Sequence, residues 1–327
     1  MNLTRSSFLA STAAAGIAAS VPHRAFAAGV DRIGVDFASY NPPSLILKQH
    51  GWLDEALAKV GTKLDWVQSL GSNKANEYLA GNAVQFGSTA GSAALLARAN
   101  GTPIQTVFLF SQPEWTALVV GKDSPIKNVH ELKGKKVAAT RGTDPWFFLI
   151  RALRVHGLDL ADIELIDLQH PDGRTALERG QVDAWAGLDP HMAASQLNAG
   201  STLLYRNVAF NTFGALNARE DFLAAHPEIV SIVLRQYDRA RKYAAARPAD
   251  AAKAIADLSH VDERVAEVEA RERTHYPDPT PGKAYAQAIA AVVPIINAEK
   301  LVAAGTDVAK AAATLAEPRP VRTALRT

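Results

Sequence analysis

Residues 84–110, VQFGSTAGSAALLARANGTPIQTVFLF, contain the pattern that decides the fold class. Val84 to Gly87 is typical of a short strand, Ser92 to Ala99 of a helix, and Ile104 to Phe110 of a second strand. The junction between the first strand and the helix holds only small residues, several of which carry hydroxyl groups. A strand, a helix and a second strand in this order predict a βαβ unit, in which a helix covers two parallel strands.

The same alternation continues on both sides of this unit. The predicted strands are 33–37, 64–68, 84–87, 104–110, 117–120, 136–139, 163–168, 182–186, 202–205 and 213–217. The predicted helices are 44–60, 73–80, 92–99, 146–155, 175–179 and 191–198, and long stretches rich in Ala, Arg and Glu then continue to about residue 313. Strands that alternate with helices predict an α/β fold with parallel sheets covered on both faces.

Two βαβ series, followed by helices without strands of their own, predict two lobes. We assign residues 30–114 and 216–313 to lobe I, with the closing helices folded back on it, residues 115–215 to lobe II, and residues 314–327 to a loose tail. Extended segments near Trp115–Val120 and Phe213–Asn217 are predicted to be the two crossings between the lobes. Because two crossings make a hinge, we expect the cleft between the lobes to close on a ligand.

The first 27 residues have the pattern of a secretory signal peptide. Arg5 gives a positive start, Phe8 to Ser20 is a short apolar run, and Ala25-Phe26-Ala27 is typical of a cleavage site. The run is shorter than the roughly 20 apolar residues that a membrane helix needs. Residues 1–27 are therefore predicted to be removed on export, which places the mature protein in the periplasm. A twin-arginine signal needs two arginines where this chain has Arg5 alone, so the export route stays open.

Composition excludes several classes of function. The chain has 35 Lys and Arg against 33 Asp and Glu, and residues 1–27 hold Arg5 and Arg24 but no acid, so the mature protein has 33 of each sign. Such a balance argues against a nucleic-acid partner. The absence of cysteine excludes disulfides, thiolate metal sites and cysteine nucleophiles. The histidines lack metal-ligand spacing, and no nucleophile elbow or phosphate loop is present, so we predict no catalytic residue, metal or cofactor.

Small polar residues follow predicted strands at three junctions, which are 71–73, 87–92 and 140–143. In open α/β sheets the ligand binds at the carboxyl ends of strands, where helices begin. Backbone N–H groups and the positive end of a helix dipole bind anions there, and Arg141 could add a charged contact. For each junction alone the alternative is an ordinary helix cap. Three junctions in one cleft favour an anionic ligand.

Aromatic and acidic residues accompany these junctions. Tyr40, Trp115 and Trp185 suit the wall of a pocket for a small organic molecule about as well as they suit packing, and Trp146 leans toward the pocket. The acids Glu114, Asp144 and Asp189 could hold an amino group or make hydrogen bonds between domains, and we favour the second role.

Two runs of sequence resemble a known family. They are residues 123–139, DSPIKNVHELKGKKVAA, and residues 172–190, DGRTALERGQVDAWAGLDP. Both resemble the solute-binding proteins of nitrate, sulfonate, bicarbonate and taurine importers, and the second is most similar to the aliphatic sulfonate-binding branch. The resemblance extends from about residue 31 to residue 240.

The resemblance implies a type II periplasmic binding protein, a monomer and not an enzyme, that delivers an aliphatic sulfonate to an ABC permease in the inner membrane. The family's anion-binding positions map onto Ser72, Ser88, Thr89, Ser92, Gly142 and Thr143, with Trp185 and Asp189 near the organic end of the ligand. Departures at Ala186-Gly187-Leu188 and at residues 39–43 leave the ligand's side chain open. We expect its anionic head to dock on helix amino termini of both lobes and its tail to contact Tyr40, Trp115 and Trp185.

Other functions use a similar fold. Taurine or an inorganic oxyanion could replace the alkanesulfonate, and a sensory module for a membrane receptor would use the same cleft. An enzyme that resembles the thiamine-pyrimidine synthases would need a cysteine-rich iron-binding sequence, which this chain does not have.

Overall fold

The computed structural model describes residues 30–326 of the chain, so the predicted signal peptide lies outside the described residues. The strands are β1 (Arg32–Phe37), β2 (Lys63–Gln68), β3 (Phe86–Ala90), β4 (Ile104–Pro113), β5 (Thr116–Val120), β6 (Lys136–Ala139), β7 (Glu164–Asp167), β8 (Ala184–Leu188), β9 (Thr202–Tyr205), β10 (Gly214–Arg219) and β11 (Thr274–His275).

The α-helices are α1 (Pro42–His50), α2 (Trp52–Ala58), α3 (Ser72–Ala80), α4 (Gly91–Ala99), α5 (Asp144–Val155), α6 (His170–Glu178), α7 (His191–Ala199), α8 (Glu220–Ala225), α9 (Pro227–Ala246), α10 (Pro248–Ser259), α11 (Glu263–Glu267), α12 (Lys283–Ala290), α13 (Val293–Ala298), α14 (Val308–Leu315) and α15 (Arg319–Leu325). A π-helical turn, Val268–Arg273, joins α11 to β11. Between residues 30 and 326, no helix combines the length and apolar character that a membrane span requires.

Lobe I is built on a six-stranded sheet in the order β11-β4-β10-β3-β1-β2. β1 pairs in parallel with β2 and β3, as the βαβ pattern predicts. β10 runs antiparallel to both β3 and β4, so the prediction of a purely parallel sheet is wrong. A parallel neighbour needs a crossover helix, whereas β10 arrives directly from lobe II.

Lobe II is built on a five-stranded sheet in the order β7-β6-β8-β5-β9. β6 is parallel to β7 and β8, and β5 is antiparallel to β8 and β9. The chain passes from the first sheet to the second between Pro113 and Thr116, and it returns between Tyr205 and Gly214. The predicted α/β fold with two lobes and two connecting segments is confirmed.

Two local differences from prediction involve the first lobe. The predicted helix 44–60 is divided at Gly51, whose φ of 66° lies in the left-handed region that favours glycine, so α1 ends and α2 begins there. The predicted strand 84–87 is displaced, because β3 covers Phe86–Ala90. Ser88 and Thr89 are therefore strand residues and do not belong to a loop.

The carboxyl-terminal helices depart from prediction in two ways. The tail predicted to be loose contains α15, whose buried Val321 and Ala324 belong to the same apolar cluster as α9, so that prediction is wrong. Helices α12–α14 contribute to an apolar cluster shared with α4 of lobe I and α5 of lobe II. Glu299, directly after α13, forms an ion pair with Arg154 of α5. These helices contact both lobes and are not confined to lobe I.

Candidate functional site

The amino terminus of α4, one of the three predicted anion-binding junctions, is occupied by the second connecting segment. Gly91 N donates a hydrogen bond to Phe213 O at 3.0 Å, and Ser92 N donates to Thr212 Oγ1 at 3.3 Å. Both acceptors belong to the segment that returns from lobe II. In this structure Ser92 therefore contacts the hinge, and its N–H group is not open to a ligand.

Asp144, the first residue of α5, is the centre of the hydrogen bonds between the lobes. Its Oδ1 accepts from Ser92 Oγ at 2.5 Å and from Thr212 Oγ1 at 2.8 Å. Its Oδ2 accepts from Trp115 Nε1 at 2.9 Å and from Thr212 N at 2.8 Å. The buried carboxylate also lies at the positive end of the α5 dipole. The domain hydrogen-bonding role favoured for Asp144 is confirmed.

A buried polar cluster lies at the carboxyl ends of β1 and β3. Asp36 Oδ1 accepts from Ser88 N at 2.8 Å and from Ser88 Oγ at 2.7 Å, and Asn41 Nδ2 donates to Ser88 Oγ at 2.7 Å. Tyr40 OH donates to Ser88 O at 3.0 Å. Burial raises the pKa of Asp36 to about 6. Within residues 30–326 its Oδ2 has no partner, which leaves one strong acceptor unsatisfied.

Ser72 and Thr89 use their hydroxyl groups inside lobe I. Ser72 Oγ accepts from Ala90 N at 2.9 Å. Thr89 Oγ1 donates to Ala90 O at 2.8 Å and accepts from Asn217 Nδ2 at 2.7 Å. The hydroxyl groups of Ser72 and Thr89 therefore stabilise the backbone and strands around them. A ligand at this junction would have to bind other atoms of the site.

The amino terminus of α3 is the predicted junction that remains open. Gly71 is its N-cap, and no side chain caps it. In the part of the chain that the structure describes, Ser72 N and Asn73 N donate to no acceptor, whereas Lys74 N and Ala75 N bond to Gly71 O. Two unpaired N–H groups at a helix amino terminus form a ready anion site.

Lobe II faces this terminus with His170, which no motif had identified. His170 is fully buried at the start of α6, and a Cβ atom added to Gly71 would lie only 3.1 Å from His170 Nε2. His170 Nδ1 lies 3.1 Å from Thr140 Oγ1. Burial, with a smaller effect from the charge of His191, lowers the pKa of His170 to about 3. The neutral imidazole of His170 therefore forms the lobe II side of the α3 junction.

The third predicted junction lies on lobe II. Thr143 is buried and its Oγ1 donates to Thr140 O at 2.6 Å. Gly142 has a φ of 76°, which favours glycine, and a Cβ atom there would lie 3.7 Å from Leu96 of α4. Arg141 is exposed, and its guanidinium group lies 5.9 Å from the centre of the Trp146 ring. Gly142 thus faces α4 of lobe I, Thr143 stabilises the turn within lobe II, and Arg141 is exposed to solvent.

The aromatic candidates divide into two groups. Tyr40 and Trp115 form an edge-to-face pair with ring centres 6.0 Å apart, in a cluster that also contains Leu188 of lobe II. Trp185 instead packs inside lobe II, where a Cβ atom added to Gly173 would lie 2.6 Å from its Nε1. Tyr40 and Trp115 therefore lie together where lobe I meets Leu188 of lobe II, and the position of Trp185 favours the packing role.

Asp189, predicted to lie near the organic end of the ligand, is held by an arginine. Arg273 Nη1 donates to its two carboxylate oxygens at 2.8 and 3.0 Å, and Ala193 N donates to Oδ1 at 2.9 Å. Burial raises the pKa of Asp189, and the charge of Arg273 opposes that rise. Asp189 makes the domain ion pair that its favoured role predicts, so its charge is already compensated.

Some site residues escaped prediction because their signal is weak or absent in the sequence. Asp36 could have been found as an acid inside an otherwise apolar strand, and His170 as the polar residue that follows β7. Thr212 and Arg273 carry no local signal, since their partners lie 68 and 84 residues away.

Other parts of the described chain hold fewer groups that could bind a ligand or a metal ion. A surface pocket of about 370 Å³ lies between α8, α9 and α15, and no candidate residue lines it. Within residues 30–326, His, Asp and Glu side chains form no group of three that could hold a metal ion.

Comparison with known proteins agrees with this architecture. A putative aliphatic sulfonates-binding protein of Bacillus subtilis (strain 168) is 30% identical over 229 residues, which are 69% of each chain. One from Escherichia coli (strain K12) is 33% identical over 184 residues, 56% of each chain. The alkanesulfonate-binding protein of Xanthomonas axonopodis pv. citri, solved with bound MOPS, superposes with a TM-score of 0.78 at 25% identity and covers 87% of this chain and 99% of its own.

These relatives are named as binding proteins, which confirms the expectation that the chain is not an enzyme. The sequence profile described as NMT1/THI5 like matches residues 42–251, which include most of both lobes. The chain therefore belongs to the NMT1/THI5-like family.

Proposed function

We propose that this chain is the periplasmic solute-binding component of an ABC importer and that it binds an organic sulfonate between its two lobes. The observation that carries the proposal is the open amino terminus of α3, where Ser72 N and Asn73 N have no acceptor within residues 30–326 and where Gly71 lies against His170 of lobe II. The names of the relatives supply the ligand class, because they bind aliphatic sulfonates or an alkanesulfonate.

The proposed complex forms in three steps. The sulfonate head docks at the amino terminus of α3, where backbone N–H groups meet its oxygens. Its organic tail then contacts Tyr40 and Trp115, whose edge-to-face pair borders lobe II. Rotation about the two connecting segments finally closes residues 115–215 on the remaining lobe, and an inner-membrane permease recognises that closed monomer.

A second candidate is taurine, which is ethanesulfonate with an added amino group. Asp36 Oδ2, which has no hydrogen-bond partner among the described residues, favours taurine, because a buried carboxylate oxygen near the α3 junction would accept a hydrogen bond from an ammonium group. Asp189 does not favour it, since Arg273 already neutralises that acid.

The test is thermal unfolding and tryptophan fluorescence of residues 28–327 with ethanesulfonate, butanesulfonate, taurine, sulfate, nitrate and glycine. A ligand at 100 times its dissociation constant stabilises the folded state by about 2.7 kcal/mol. We expect stabilisation by the alkanesulfonates together with a change in fluorescence, because Trp115 bonds to Asp144 at the hinge.

Ethanesulfonate and taurine form a matched pair in this test. Stabilisation by taurine alone would assign the site to the amino-bearing ligand, and stabilisation by sulfate or nitrate alone would assign it to an inorganic oxyanion. If none of the anions changed either signal, the proposed function would be wrong.

A further inference from the structure

His170 Nε2 is a buried acceptor aimed at the proposed ligand site. His170 begins α6 directly after the end of β7, and its side chain is fully buried. Its Nε2 faces the Gly71 backbone of lobe I, since a Cβ atom on Gly71 would lie 3.1 Å from Nε2 and 2.8 Å from Asn73 Oδ1. Neither Nε2 nor Asn73 Oδ1 has a hydrogen-bond partner within residues 30–326.

The hydrogen bonds around His170 fix its tautomer. Thr140 Oγ1 donates its single proton to Leu168 O at 2.7 Å. His170 Nδ1, 3.1 Å from the same oxygen, must therefore be the donor in their contact. In the neutral ring Nε2 then carries a lone pair, and burying such a group without a partner is unfavourable.

A sulfonate cannot satisfy this lone pair. All of its oxygens are acceptors, so it would meet Ser72 N and Asn73 N favourably on lobe I but repel a neutral Nε2 on lobe II. A protonated Nε2 reverses that repulsion and gives a charge-assisted hydrogen bond. Asn73 can turn its amide NH₂ toward the same oxygens, because its Oδ1 has no hydrogen-bond partner within residues 30–326.

Other cations near the junction are already engaged or distant. Arg273 is bound to Asp189, and exposed Arg141 lies within 3.9 Å of the Asp167 carboxylate. The α3 dipole supplies only a partial positive charge. Lys74, in the first turn of α3, is paired with Glu77 at 2.8 Å, so an imidazolium at His170 would add a positive charge that these paired cations do not offer.

We propose that the sulfonate head lies between the amino terminus of α3 and His170, and that His170 Nε2 takes up one proton from solvent when the ligand binds. The proton goes to the ring and none leaves the sulfonate, which stays ionised. The imidazolium then donates to a sulfonate oxygen through Nε2 and to Thr140 through Nδ1. This inference rests on the proposed function for the class of ligand.

The surroundings of His170 set the direction of the pH dependence. Burial lowers the pKa of His170 to about 3, so the ring is neutral at pH 7 without ligand. His191, from α7, is the titratable neighbour whose charge acts on it, and burial together with Arg174 lowers the pKa of His191 to about 4. The other groups in contact with His170 are the Thr140 hydroxyl group on lobe II and the Gly71 backbone on lobe I, which do not titrate near neutral pH.

A bound anion raises the pKa of the facing imidazole, so the complex holds more protons than the unliganded protein. Affinity must therefore increase as pH falls toward the pKa of the complex and below it, by up to about tenfold for each pH unit. The affinity stops increasing only when the pH approaches the low pKa of His170 in the unliganded protein.

The experiment is calorimetric titration of residues 28–327 with ethanesulfonate at pH 7 in Bis-Tris and in Tris, amine buffers that are not anions and whose ionisation enthalpies differ. The difference in observed heat counts protons, and we expect a net uptake of protons that increases as the pH is lowered from 7 to 6. His170→Gln should still bind, because an amide donates without protonation, but it should show no uptake. His191→Gln changes the half-buried neighbouring histidine whose charge acts on His170, and it should keep the wild-type uptake.

The possible outcomes distinguish a failure of the His170 inference from a failure of the proposed function. Binding by the wild type with equal heats in both buffers would overturn the role of His170 and leave sulfonate binding intact. Uptake that persists in His170→Gln but disappears in Asp36→Asn would assign the proton to Asp36, which also overturns it. If the wild type bound no sulfonate, both proposals would fall. Thermal unfolding establishes that each variant is folded.

Discussion

Replacing Asp144 with alanine is expected to lower the free energy of unfolding by about 4 kcal/mol. The carboxylate accepts four hydrogen bonds from Ser92, Trp115 and Thr212. Each buried donor that loses its acceptor costs about 1–3 kcal/mol, and losses at one site are not additive. Urea denaturation followed by circular dichroism measures the change.

A matched control is Asp123→Ala, since Asp123 is an exposed acid of the same lobe. It should leave the urea midpoint unchanged. Asp144→Asn should lie between the alanine variant and the wild type, because its amide oxygen keeps one side of the network. A cost below about 1 kcal/mol for Asp144→Ala would mean that this carboxylate does not hold the lobes together.

Replacing Arg273 with alanine is expected to cost about 3–5 kcal/mol, which is typical when one partner of a buried ion pair is removed. Asp189 is fully buried, and Arg273 lies 2.8 Å from its Oδ1. Without the guanidinium group the acid must either bury an uncompensated charge or take up a proton, so its pKa, already raised by burial, should rise further. Thermal and urea unfolding both report the loss.

A double-mutant cycle gives the decisive control for this pair. Asp189→Asn in the Arg273→Ala background removes the stranded charge, so the double variant should be more stable than Arg273→Ala alone. If Asp189→Asn and Arg273→Ala had independent, additive effects, the two side chains would not form the pair that joins the turn before β11 to lobe II.

Local sequence patterns predicted the fold well because its strands and helices alternate with clear apolar periodicity. Val84–Phe110 contains the strand, helix and strand that form β3, α4 and β4, although β10 lies between these two strands in the sheet. The direction of β10 was not predictable in the same way. The direction of β10 depends on where the chain re-enters lobe I from lobe II, and no local pattern in the sequence indicates that position.

The candidate site was predicted less completely than the fold. The ends of strands indicate where a ligand can bind, but the hydrogen-bond partners of each residue determine whether that residue is free to bind it. Ser72 lies at an open helix terminus as expected, whereas Ser92 has an equivalent position but is bound by Asp144, 52 residues later. The π-helical turn places Arg273 against Asp189, and neither residue indicates the other in sequence. Whether a residue belongs to the hinge or to the ligand site therefore depends on long-range pairing, which the periodicity of the sequence does not reveal.

The most direct test of sulfonate binding between the lobes is a crystal structure of residues 28–327 with bound ethanesulfonate. We expect the sulfur between α3 and α6, with sulfonate oxygens within hydrogen-bond distance of Ser72 N, Asn73 N and His170 Nε2. Electron density for the sulfonate elsewhere on the protein, or an empty cleft in crystals saturated with the ligand, would contradict it.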